Sequence, residues 1–260
     1  IPIDIQIDEY KNKNVTIRES ENIQSNVIIK TIQLGLTQIK GFKIGLCFPG
    51  IKNKNDIVVL SNGPRIINLN KNINFFDTIQ NDSDCCLIGE WKSTIGKMNN
   101  INNGVYIGGG TGIADGIILN DKIVDFNNHP EKIKRSWELL LPSGESVESW
   151  LSPAGMIKKY NLIYDKNIRT LEELSRSKES DHIFYQVQKA FSFLINDRIA
   201  FFKKHNITIE KIVIGQRLGN FLANENKNIR ELFLNYKNIP IDFSPDRRVA
   251  ALGAVWKLLC

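Results

Sequence analysis

Hydrophobic positions alternate with other residues at the start of the chain, at Ile1, Ile3, Ile5 and Ile7, and Val15-Thr16-Ile17 follows the turn-like Lys11-Asn12-Lys13-Asn14. Period-two alternation across a polar turn predicts a β-hairpin. The period then changes. Val27, Ile28, Thr31, Ile32, Gly35, Leu36 and Ile39 share one helical face, and the apolar run over residues 42–48 reads as a strand stopped by Pro49-Gly50. Asn81-Asp82-Ser83 precedes a helical pattern carrying Leu87, Ile88, Trp91 and Ile95, with an Asp or Ser capping the helix start.

A strand at Val105-Tyr106-Ile107 runs into Gly108-Gly109-Gly110-Thr111-Gly112. Residues 116–119 are expected to pair with 122–124 across Asn120-Asp121. Residues 137–141 read as strand-like. The last third predicts a long helix over 183–204, a strand over 211–214 and a final helix from about residue 246. Strands alternating with helices predict an α/β protein.

The 260 residues are 42% hydrophobic and 24% charged, enough to bury a substantial core. No apolar run approaches the roughly 18 residues that cross a bilayer, and no leader pattern is visible, so a cytoplasmic protein without a membrane partner is expected. The four cysteines, Cys47, Cys85, Cys86 and Cys260, lack zinc spacing, and only His129, His182 and His205 are available as imidazole ligands. No protein metal site is expected. A metal would sit on carboxylates and phosphate oxygens, which suits magnesium-nucleotide. The net charge of +6 is spread along the chain without a basic block, which argues against a nucleic-acid partner.

Three segments offer chemistry, each with a bland alternative. The glycine run lets the backbone turn with positive φ and bring N–H groups and the Thr111 hydroxyl to phosphate oxygens, or it is a glycine-rich hairpin entry. Asp82 could take a proton from a substrate hydroxyl while Asn81 holds that hydroxyl, or the pair is an ordinary helix cap. Glu138 and Glu148 have aromatic neighbours in Trp137 and Trp150 and suit sugar hydroxyls, or they are surface glutamates.

The order of the pieces carries further. Gly45-Leu46-Cys47-Phe48-Pro49-Gly50, then Asn81-Asp82-Ser83-Asp84, then Gly110-Thr111-Gly112-Ile113-Ala114-Asp115-Gly116 resembles the ROK (repressor, open reading frame, kinase) family of the actin-like ATPase superfamily. Downstream, Val147-Glu148 with Ser152-Pro153-Ala154-Gly155, then Ile212-Val213-Ile214-Gly215 and Ala250-Ala251-Leu252-Gly253-Ala254 extend the resemblance over residues 41–260. It implies a two-lobed, ribonuclease H-like α/β fold with a cleft between lobes, an N-terminal lobe over 1–105 and a C-terminal lobe over 106–260.

The resemblance also implies an ATP- and Mg2+-dependent sugar kinase, glucokinase-like, acting on a hexose or amino sugar, with a homodimer as its assembly. It makes Asp82 the general base and Asn81, Asn62, Glu138 and Glu148 sugar ligands. Gly110, Thr111 and Gly112 fall at the ATP phosphates and Gly215 near the adenosine.

Departures from the pattern are equally visible. Leu141 stands where the family has a histidine, and Ser143-Gly144-Glu145-Ser146 replaces the cysteines of its zinc site, so that loop must hold itself without metal. Ala114 and Asp115 replace phosphate-loop glycines, and an Asp beside phosphate would repel it without magnesium. Gln216-Arg217 replaces glycines of the adenosine turn and narrows the base pocket. The family's first phosphate motif has only Asp4 as a partial match, and it is expected upstream of Ile1. The competing expectation is a sugar-binding sensor of the same fold with impaired catalysis. An ATPase acting on something other than sugar is a further one. A DNA-binding regulator ranks third, behind the kinase and the sensor, since no helix-turn-helix is visible.

Overall fold

The computed structural model describes residues 16–39, 43–53, 56–59, 63–67, 69–73, 77–126, 128–129, 131, 133–224, 227–234, 236 and 238–259. The hairpin expected over 1–17, with Asp4, falls almost wholly outside them, as does Asn62.

Helix α1 (Glu19–Thr37) forms where the apolar stripe predicts a helix, but its packed face is shifted: Ile28, Ile32 and Leu36 of the stripe join Ile29 in packing with Leu46, Ile57, Ile66 and Ile79, whereas Val27, Thr31 and Ile39 are exposed. Leu46 and Ile79 are the centres of a short parallel pair, β1 (Gly45–Cys47) and β4 (Thr78–Gln80). Strands β2 (Ile51–Asn53) and β3 (Asp56–Val59) pair antiparallel, and α2 (Leu69–Asn72) follows. Gly50, with φ of 96°, makes the turn that Pro49-Gly50 predicts. A buried ion pair ties α1 to the segment after β3: Arg65 Nε lies 2.7 Å from Glu21 Oε1, which also accepts the Arg65 backbone N–H at 2.8 Å. Burial works to raise the Glu21 pKa, but the Arg65 hydrogen bonds and charge outweigh it and hold the carboxyl below its usual range.

Helix α3 (Asp82–Lys92) leads to a five-stranded sheet. Its order is β7-β6-β5-β8-β9, from β5 (Gly104–Gly109), β6 (Ile113–Leu119), β7 (Lys122–Ile123), β8 (Lys211–Gly215) and β9 (Ile241–Phe243). β5, β8 and β9 run parallel, and β6 is antiparallel to both β5 and β7. The predicted tight hairpin is present: Asn120 and Asp121 take φ of 51° and 58°, which two-residue turns of this hand require.

Between β7 and β8 come a 3-10 turn (Ser136–Glu138) and helices α4 (Val147–Leu151), α5 (Pro153–Tyr164), α6 (Leu171–Ser175) and α7 (Ser180–Lys204). The strand expected over 137–141 is therefore corrected. Glu138 accepts the Arg135 N–H at 2.9 Å and closes the 3-10 turn, leaving only a bridge between Leu140 and Ser146. After β8 come α8 (Gln216–Asn224) and α9 (Lys227–Leu234), and α10 (Val249–Leu259) ends the chain.

Alternate strand residues face opposite sides, and each side has its own core. Val105, Ile107, Ile212 and Ile214 join the larger cluster with α4, α5 and α7, whereas Tyr106, Ile118 and Val213 pack with Leu87 and Trp91 of α3. This second cluster explains where the chain divides. One compact unit runs to Cys85 and takes in the end from Ala254, and the other is Cys86–Gly253, so this division falls inside α3. The part of α3 beyond Cys85 is committed to the sheet by its apolar face. Among the described residues no helix is long and apolar enough to cross a membrane.

Candidate functional site

Asn81 is the capping residue of α3: its backbone carbonyl accepts the Cys85 N–H at 2.9 Å, and its side-chain oxygen accepts the Asp82 N–H at 3.0 Å. Asp82 is thus the first helical residue. One of its carboxylate oxygens accepts the Ser83 N–H at 2.9 Å, and the other has no hydrogen-bond partner among the described residues. Short polar side chains at a helix start bond to nearby N–H groups, which fixes the direction of this carboxylate. Half-buried and aimed by its own helix, it keeps one acceptor oxygen available.

In the second unit the glycine run owes its composition to packing. Positive φ among the described glycines occurs at Gly50 and Gly144 alone, which corrects the expectation that residues 108–112 need left-handed backbone. Close approach is the reason instead. A Cβ on Gly109 would lie 2.5 Å from Leu218 Cβ, one on Gly110 would lie 2.8 Å from Gln216 Oε1, and one on Gly112 would overlap Glu148 Oε2. Gly215 has the same explanation, since a Cβ there would meet the Tyr106 hydroxyl at 2.5 Å.

The turn nevertheless presents donors. Gly110 N–H is used by Gly112 O at 2.9 Å and Ile113 N–H by Glu148 Oε2 at 2.9 Å, while the N–H groups of Thr111 and Gly112 and the Thr111 hydroxyl have no acceptor among the described residues. Thr111 is exposed. Consecutive free N–H groups with a hydroxyl suit phosphate oxygens, so these residues fit a nucleotide's phosphates. No group of three or more His, Cys, Asp or Glu side chains suited to a metal occurs among the described residues. Magnesium would be held chiefly through the phosphates it accompanies.

Glu148 comes to this turn from the first turn of α4, whose N-cap is Ser146. Burial raises its pKa, and the Ile113 hydrogen bond only partly offsets this. A carboxyl whose folded pKa is raised contributes stability that is full below its unfolded pKa and lost as pH rises through the folded value. Glu148→Gln keeps an oxygen for Ile113 N–H without the charge. Its melting temperature should exceed the wild type's at pH 7, and the two should converge towards pH 4. If Glu148 also accepts a sugar hydroxyl, the same substitution should raise the sugar KM about tenfold, the worth of a hydrogen bond to a charged group. Paired melting curves at the two pH values and a KM series check both.

Asp115 does not lie free beside the turn, as its place in the sequence led one to expect. Its carboxylate is buried, 2.7 Å from Arg198 Nη2, and accepts the Ser136 N–H at 2.8 Å. The loop that lacks zinc-type cysteines is held by side chains. Glu145 accepts Trp150 Nε1 at 2.9 Å and pairs with Lys159, whose ammonium lies 4.7 Å from the centre of the Trp150 ring. Lys159 and then Trp150 hold the Glu145 carboxyl below its usual range.

The structure therefore brings Gly110, Thr111, Gly112 and Glu148 together. It leaves Glu138 engaged with the backbone of its own turn, and it places Asn81 and Asp82 side by side in the first unit. Sequence reading missed the Asp115–Arg198 pair and the contact of Gln216 with the glycines. A lone arginine inside an apolar helix face was the signal for the first.

Compared by sequence, the chain matches no family model and no curated protein. Compared by structure, it matches a ROK hexokinase from Thermus thermophilus at 14% identity, with a TM-score of 0.63, covering 88% of this chain and 83% of that one. It matches a ROK family glucokinase from Streptomyces griseus, in complex with glucose and AMPPNP, at 11% identity and TM-score 0.62, covering 88% and 86%. A ROK family transcriptional regulator, a homolog of the E. coli MLC protein, matches at 13% identity and TM-score 0.65, covering 93% and 69%. The chain thus has the actin-like α/β fold seen in the ROK sugar kinases. The same fold serves an enzyme and a regulator, so function has to be argued from the residues.

Proposed function

We propose that this chain is a ROK-type sugar kinase that transfers a phosphoryl group from magnesium-ATP to a hydroxyl of a hexose or amino sugar. The observation that carries the reading is Asp82, whose carboxylate is oriented by the Ser83 N–H and retains an acceptor oxygen. Asp82 takes the proton from the attacking hydroxyl, and Asn81 orients that hydroxyl. Glu148 accepts a hydrogen bond from another sugar hydroxyl, with Glu138 and Asn62 as further ligands. The free N–H groups and hydroxyl of Thr111 and Gly112 hold the phosphates, with Gly110 in the same turn and Gly215 near the adenosine. Magnesium-ATP, when bound, supplies the electrophilic phosphoryl group. Cytoplasmic location and a homodimer belong to the same reading.

A sugar-binding sensor is the second reading, favoured by Gln216 at a position where the resemblance calls for glycine. ADP release measured with magnesium-ATP and a panel of glucose, mannose, fructose and their 2-amino derivatives separates the two. Turnover with one of the panel is expected. Calorimetric sugar binding without turnover would favour the sensor, and neither binding nor turnover would sink the sugar-kinase proposal.

A further inference from the structure

Gln216 opens α8 directly after β8 with φ of 59°, a backbone conformation that residues with side chains rarely adopt. Such outliers persist where the surroundings over-determine them, and they concentrate at ligand sites. The side chain runs back across the end of β5. Its carboxamide carbon and Nε2 lie where a Cβ on Gly108 would meet them at 3.1 Å, its Oε1 does the same at Gly110, and Nε2 is 3.7 Å from Cys86 Sγ. Leu218 fills the opposite face at Gly109. Gly108 and Gly110 are thus shaped to the carboxamide.

The place matches a ligand position general to open α/β sheets. β5 and β8 are adjacent and parallel, and their carboxyl ends meet at a bridge between Gly109 and Gln216. From there the chain turns to β6 on one side of the sheet and to β9 on the other. In open α/β sheets the crevice at such a divergence, outside the carboxyl ends of the strands, takes the ligand. The unpartnered N–H groups of Thr111 and Gly112 lie just beyond Gly110.

We propose that Gln216 is a donor-specificity residue: its carboxamide fills the crevice between the ends of β5 and β8, crowding the nucleoside part of a nucleoside triphosphate while leaving the phosphate-binding turn accessible. The proposal rests on the kinase reading and deepens it. Because the side chain occupies volume and makes no charged contact, removing it relieves crowding of donor and transition state alike. The donor KM should fall with kcat little changed.

The test compares wild type, Gln216→Gly and Gln216→Ala by calorimetry, with magnesium-ATP and magnesium-tripolyphosphate as probes and thermal melting as a check of folding. Both variants should bind ATP about tenfold more tightly than wild type and bind tripolyphosphate equally well. Gln216→Ala keeps a Cβ on the left-handed backbone, so tightening in the Gly variant alone would assign the effect to backbone strain and overturn the proposal. If Gln216→Gly fails to fold, Gln216→Ala carries the test. Leu218→Ala, which empties the other face, should not tighten ATP. Unchanged or weaker ATP binding in both Gln216 variants, with wild type binding normally, would overturn this proposal alone. An absence of ATP binding in all of them would remove the donor reading and this proposal together.

Discussion

Asp82→Asn should lose about 10²- to 10⁴-fold in turnover, the usual worth of general-base assistance, with sugar affinity nearly unchanged. The amide keeps the size of the side chain and an oxygen for the Ser83 N–H, so the start of α3 stays as it is. It cannot take up the proton. If Asp82 served only the helix, Asn would replace it at almost no cost, because the two residues are equivalent near helix starts. ADP release and calorimetric sugar binding, compared in wild type and variant, decide the matter. Equal turnover in both would show that Asp82 is structural, and loss of sugar binding together with turnover would point to a positioning role.

The largest effect on stability is expected at the Asp115–Arg198 pair. Both side chains are fully buried. The guanidinium also donates to Lys134 O at 2.8 Å and Asp197 Oδ2 at 2.7 Å, and lies 5.6 Å from the centre of the Phe126 ring. Removing one partner strands a charge in an apolar surrounding, which costs about 3–5 kcal/mol. For a unit of this size that corresponds to a fall in melting temperature of roughly 10 °C. Arg198→Met and Asp115→Leu should each show it by thermal melting, and the double variant should recover most of the loss, because a well-packed apolar pair avoids the desolvation of both ions. Additive losses would mean that the hydrogen bonds to Ser136 and Lys134 matter more than the pairing of the charges.

The pair also bears on the site. Asp115 lies two residues after Ile113, whose N–H holds Glu148, and the Ser136 hydroxyl reaches Ile113 O at 3.4 Å. Single variants should therefore raise the sugar KM as well as lower stability. The resemblance reads position 115 as a lost glycine, but in the folded chain it is an anchor for the strand that follows the phosphate turn.

Much was legible in the sequence because local physics decides it. The existence of α1, the strand-turn-strand at Asn120-Asp121, the helix start at Asn81-Asp82 and the long α7 depend on periodicity and on backbone preferences of neighbouring residues. The order of the glycine turns and the Asn81-Asp82 pair was enough to indicate the actin-like fold, which the solved structures share.

What the tertiary structure decided were matters of partnership across long sequence separations. Residues 137–141 look like a strand, yet Glu138 binds its own turn. The compact units part inside α3, because Leu87 and Trp91 find the sheet. Gly108 to Gly112 looked like a backbone needing unusual φ, and their requirement turned out to be the space taken by Gln216, Leu218 and Glu148, 36 to 109 residues downstream in sequence, roughly. A sequence displays which residues can turn, cap or alternate. It does not display which side chain arrives from elsewhere to occupy the room a glycine leaves, because that depends on packing of the whole unit.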